Sequence, residues 1–214
     1  MKSLSVMLLA VFVMSCDRPQ ESEEFVEEVV EFPWVEPGFQ DWNELRFGGE
    51  GSAQWIDGVL SLDAGAALTG TRYGGTLPKM PYELVLEARK MSGADFFCGL
   101  TFPVSSPEEC VTLIVGGWGG GTIGISSIDG LDASENETTS YGFFESKKWY
   151  AIRVLVEEGR LSAYIDGEQR VDLLTKGRKL GLRSGVIESC APLGLAAWQT
   201  AAEIRALRWR SLAD

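Results

Sequence analysis

From Phe39 onward, apolar and polar residues alternate in short runs, and little in this stretch has helical spacing. The segments 82–89, 149–156 and 161–165 put every second side chain on one face, as a strand with one buried side requires. Runs rich in β-branched and aromatic residues recur at 95–104, 110–115, 122–128 and 140–144. Asp57-Gly58, Asp129-Gly130 and Asp166-Gly167 are tight-turn dipeptides, the first and third set between strand patterns. Strand patterns return at 180–183 and 193–198, before a final one at 203–212. The 25 glycines and eight prolines suit many short strands. The pattern predicts about eleven to thirteen strands in one all-β domain spanning 38–214, a β-sandwich of two antiparallel sheets.

Charge narrows the partners. The chain carries −12: Lys2 adds +1, the segment 17–37 holds −7 and the residues after it −6. Nucleic acid needs clustered Lys and Arg against phosphate, so it is excluded as a partner. An acidic surface also repels anionic lipid, so any membrane attachment has to come from elsewhere. The segment 17–37 mixes Glu with Pro and lacks steady periodicity, which reads as a solvated tether. Phe32, Trp34 and Val35 mark where the chain first docks on the domain.

The N-terminus supplies a means of attachment. Lys2, an apolar stretch at 6–14 and the small Ser15 read as a signal peptide at 1–15, too short to span a bilayer as a helix. Val13-Met14-Ser15-Cys16 resembles the lipobox of bacterial lipoproteins. That resemblance implies lipidation of Cys16, export, and a lipid anchor to the cell envelope, periplasmic or at the surface. The alternative is an ordinary secretory signal in which Cys16 is incidental.

Cys98, Cys110 and Cys190 remain. A symmetric hairpin through 103–109 sets Cys98 opposite Leu113 and turns Cys110 to the other face, which argues against a bridge between them. A slip of one residue, or a bulge, would instead bring the two thiols to the same face. Buried free thiols are expected.

The segment 148–167, with Trp149 opening one strand and Ile165-Asp166-Gly167 closing the next, resembles the paired late strands of concanavalin A-like, laminin G-like jelly rolls. The segments 192–200 and 202–208 resemble the closing pair of that fold, and 54–60 its opening hairpin. Within the superfamily the pattern is similar to the 3-keto-disaccharide hydrolase domains of planctomycete-type secreted lipoproteins. The resemblance implies a jelly roll, a fold that hosts lectins, glycanases and plain adhesion modules. Activity has to be argued from a site.

Without histidine, a Ser-His-Asp system and a His-based zinc site are both excluded, and any general acid or base is Asp, Glu, Lys, Tyr or Cys. Glycanases of this fold place Glu-x-Asp-x-x-Glu on one strand, which nothing here matches. Glu83 and Glu87 share a strand face about 13 Å apart by strand rise, beyond the roughly 5–9.5 Å of glycosidase pairs. They read as an exposed face with Glu87 near Arg89.

Three features remain as candidate sites. The run 116–124 contains a literal G-x-G-x-x-G, but a strand pattern follows it where a dinucleotide site needs a helix. It reads as a flexible hairpin that either presents Trp118 for stacking on a sugar or folds it back on the sandwich. Asp129, Asp132, Glu135, Asn136 and Glu137 form a dense oxygen set that suits Ca²⁺ or is a solvated acidic loop; Asp129, Asp132 and Glu135 are the candidate metal ligands. Arg183 and Trp198 lie on late strands, lining a ligand face or, for Trp198, joining the core.

The expectation is an anchored lipoprotein whose jelly roll binds carbohydrate or an envelope partner without catalysis, through Trp118, Asp129, Asn136, Arg183 and Trp198. The alternative is a hydrolase or lyase acting on 3-keto sugars, with carboxylates such as Glu87 and Asp129 around a metal.

Overall fold

A computed structural model describes residues 32–213. The signal segment, Cys16 and most of the acidic tether lie outside the described residues. Fourteen strands are described: β1 (Trp42–Glu44), β2 (Ala53–Ile56), β3 (Val59–Leu62), β4 (Leu68–Tyr73), β5 (Tyr82–Gly93), β6 (Cys98–Pro103), β7 (Cys110–Gly116), β8 (Thr122–Ser126), β9 (Ser140–Tyr141), β10 (Tyr150–Glu157), β11 (Arg160–Ile165), β12 (Glu168–Leu174), β13 (Gly194–Trp198) and β14 (Thr200–Ser211). They form two seven-stranded antiparallel sheets. The first runs β1-β4-β13-β6-β7-β8-β9 and the second β12-β11-β10-β5-β14-β3-β2.

Alternate residues of both sheets meet in one core. Leu100 and Phe102 on β6, Leu113 and Val115 on β7, and Ile123 and Ile125 on β8 face Leu84 and Leu86 on β5, Ile152 and Val154 on β10, and Ile204 on β14. Each such side chain contributes roughly 1.5–3 kcal/mol by leaving water. Asp57-Gly58 and Asp166-Gly167 close the β2–β3 and β11–β12 hairpins with both residues at positive φ, the turn whose twist matches the strands. Asp129-Gly130 makes the same turn between Ile128 and Leu131.

The two sheets differ on their outward faces. On β10, buried and more open residues alternate, because the outward face of the second sheet is charged. On β6, β7 and β8 every residue is buried. Loops cover the first sheet: Leu68, Ile114 and Ala196 pack under Phe96, Ala133, Ile187 and Cys190 in a second apolar cluster. Glycine permits the close approach. A Cβ at Gly124 would lie 2.8 Å from the Ala133 carbonyl oxygen, and one at Gly194 would collide with the Cys190 carbonyl.

Two expectations are corrected. Cys98 pairs with Val115, not Leu113, because the hairpin loop is 104–109 and Pro103 faces Cys110. The shift is two residues, so each side chain keeps its face. Cys98 lies in the main core, Cys110 is buried on the other side, and all three described thiols are free. The segment 180–183 is not a strand. Its backbone exchanges hydrogen bonds with Ser127 through Gly181, and Leu180 makes an isolated bridge to Ile128. β8 ends at Ser126, so no neighbouring strand extends the ladder.

Candidate functional site

A cavity of about 410 Å³ opens on the outward face of the first sheet, between the loops that cover it. Its floor is sheet: Leu68 from β4, Trp198 from β13, Thr112 and Ile114 from β7, and Ser126 from β8. Its walls are loops: Asp95 and Phe96 before β6, Trp118 after β7, and 183–187 before β13.

Each wall is fixed by local chemistry. Trp118 sits in the turn joining β7 to β8 at φ 47°, with Gly116, Gly119 and Gly120 also at positive φ. A left-handed turn of this kind needs glycine at most of its positions, and it leaves Trp118 43 % exposed at the rim. Trp198 ends β13, and its backbone N–H donates to the Phe96 carbonyl at 3.0 Å. Inward-facing Leu195 and Ala197 set its parity, so its indole lies on the outward side with Phe96 and Ile114. The Asp95 backbone N–H donates to Thr200 Oγ1, and Asp95 Oδ1 accepts the Phe96 N–H at 2.7 Å. Thr112 shares a hydrogen bond with Thr101 across β6 and β7 at 2.9 Å.

Arg183 stands at one side of the cavity, its side chain 59 % exposed and 3.3 Å from Asp132. Asp132 also accepts the Ser126 hydroxyl at 3.2 Å. The acidic loop thus steadies Arg183 and stays out of the cavity itself. Asn136 is the centre of that loop. Its amide donates to the carbonyls of Ile125, Leu131 and Asp132, and its Oδ1 accepts from Thr138 N and Oγ1. It is buried and fully engaged, and the loop folds around it.

Trp118, Trp198 and Arg183 therefore come together, whereas Asp129 and Asn136 lie apart from them. Asp129 accepts the Lys179 backbone N–H and the Arg178 guanidinium, each at 2.7 Å, which holds its carboxyl below the usual range. Arg178 also binds Glu137. Among the described residues, Asp129, Asp132 and Glu135 do not form a group able to hold a metal ion. Asp129 and Asp132 are committed to different arginines, and Glu135 points to solvent.

The Glu83 and Glu87 carboxylates belong to the second sheet, remote from Asp129. Glu83 is buried between Arg153 and Arg210, Glu87 pairs with Arg205, and Arg89 pairs with Glu203 rather than Glu87. Burial pushes the Glu83 carboxyl up, but the two guanidinium groups outweigh it and hold it below the usual range. Asp95, Thr112 and Ser126 were missed in the sequence. For Thr112 and Ser126, strand alternation from inward Leu113 and Ile125 was the available signal. Asp95 had none.

No protein-family model matches this chain, and no curated protein does. Solved structures do. The Crh5 transglycosylase, solved in complex with NAG, superposes with a TM-score of 0.57 at 9 % identity over 82 % of this chain and 81 % of that one. A β-glucanase of Bacillus licheniformis gives 0.53 at 7 % identity, over 87 % and 100 %. A candidate glycosyl hydrolase from Parabacteroides distasonis gives 0.51 at 11 % identity, over 83 % and 91 %. The fold is a concanavalin A-like jelly roll. At such identities the likeness extends to architecture and stops there.

Proposed function

We propose that this protein is an envelope lipoprotein, anchored through Cys16, whose jelly roll binds carbohydrate in the cavity between Trp118 and Trp198. The observation that supports this reading is the meeting of two indoles, a guanidinium, a carboxylate and three hydroxyl-bearing residues around one cavity of about 410 Å³. An apolar pocket with a few convergent polar groups is the usual form of a small-ligand site. A sugar ring offers C–H bonds to an indole face and hydroxyls to Arg183, Asp95, Thr112 and Ser126. The glycan-acting proteins that share the fold give the same ligand class.

Binding is favoured over hydrolysis because the cavity wall holds a single carboxylate among the described residues, Asp95, and glycoside hydrolysis ordinarily takes two. Hydrolysis or elimination on 3-keto sugars is the second reading, and it rests on Asp95 as a lone acid or base. Thermal unfolding of the full chain against a panel of glycans and 3-keto glycosides tests both. A ligand at a hundredfold excess over its Kd adds about 2.7 kcal/mol of stability. The expected result is a sugar-specific rise in Tm that Trp118→Ala abolishes. Turnover of a 3-keto glycoside, lost in Asp95→Asn, would replace binding with catalysis.

A further inference from the structure

The cavity continues past Arg183. Arg183 and Ser184 also line a second cavity of about 450 Å³, together with Ser127, Asp132 and Lys179. The two cavities adjoin at Arg183 and Ser184, as unlike halves of a candidate cleft. The first is lined by Trp118, Trp198, Phe96 and Ile114, and Asp95 lines this half alone. The second is polar and holds two cations, Lys179 and Arg183, against one carboxylate, Asp132. That carboxylate is already shared between Arg183 and the Ser126 hydroxyl. Lys179 has no ion-pair partner among the described residues and is exposed. A positive half-cleft on a chain of net charge −12 is a local exception.

We propose that the cleft takes an acidic oligosaccharide: one ring stacks in the apolar half, and the carboxylate of a neighbouring hexuronate meets Arg183 and Lys179. This rests on the carbohydrate reading above and names the class of glycan. The guanidinium fork matches a carboxylate with two parallel hydrogen bonds, and Lys179 adds a point charge beside it. A neutral hydroxymethyl group in the same place would displace water from two cations and return less.

Calorimetric titration of the full chain tests this with tri- and tetrasaccharides of glucose, galactose and mannose beside the corresponding hexuronates. The expected result is that a hexuronate binds roughly tenfold or more tightly than its neutral counterpart, with the advantage shrinking at high salt. Lys179→Met and Arg183→Met each bring the ratio of the two affinities towards one, and Arg183→Lys restores part of it. Equal affinity for neutral and acidic forms, lost together in Trp118→Ala, overturns the acidic class and leaves the stacking site standing. No binding of either form overturns both readings.

Discussion

Trp118 reaches the rim of the cavity because Gly116, Gly119 and Gly120 absorb a left-handed turn that other side chains would resist. Its indole makes few core contacts, so Trp118→Ala should leave the urea midpoint nearly unchanged while weakening sugar binding at least tenfold, about 1.4 kcal/mol. A large loss of stability would instead make Trp118 a structural residue. Asn136 is the opposite case. Its amide satisfies three carbonyls and accepts two hydrogen bonds in a buried loop, so Asn136→Ala should cost about 2–3 kcal/mol in urea unfolding. A cost below about 0.5 kcal/mol, typical of a surface change, would contradict the structural role. Glu50 gives a pH signature. Its own backbone N–H, that of Phe47, the Arg46 guanidinium and the Gly49 N–H hold its carboxyl at about 2, below the ordinary 4.5. The folded value is the lower one, so the contribution is complete above pH 4.5 and is lost as pH falls towards 2. Stability measured by urea unfolding across that window should fall less steeply in Glu50→Gln than in the parent chain, and an identical slope would contradict the assignment.

Elements with one solvated face were the most legible. β10 alternates in sequence because its outward residues meet water or ions and its inward ones meet the core. β6, β7 and β8 are buried on both sides, so their sequence identifies strands without telling which loop covers which face. The same limit explains the site. Glycine density around Trp118 and parity at Trp198 were visible locally. Asp95 joins the cavity only through packing of distant segments, and 180–183 looked like a strand because nothing in its own residues shows that β8 stops at Ser126. The covering loops depend on close backbone approach. Gly124→Ala should destabilise the domain by about 1–3 kcal/mol, since its Cβ would meet the Ala133 carbonyl oxygen at 2.8 Å. An unshifted urea midpoint would show that the 127–139 loop yields freely.

At the scale of the molecule, the proposed function assigns attachment to the lipobox-like segment and recognition to the jelly roll. Anchoring through Cys16 predicts incorporation of labelled fatty acid in a bacterial host and its loss in Cys16→Ser, with the protein then released to the soluble fraction. Unchanged labelling would refute the anchor. The proposed recognition site is on the loop-covered sheet, and the seven tryptophans give each region of the sandwich its own reporter. Trp34 and Trp149 lie against arginines of the second sheet, Trp42, Trp55 and Trp209 belong to an aromatic group around Tyr73, and Trp118 and Trp198 line the cavity. The most direct measurement follows the seven indole N–H resonances by NMR while the full chain is titrated with the tightest-binding glycan of the panel. Binding in the cavity predicts that the Trp118 and Trp198 signals move together and saturate while the other five hold still. Movement confined to Trp34 and Trp149, or no movement at all, would contradict it.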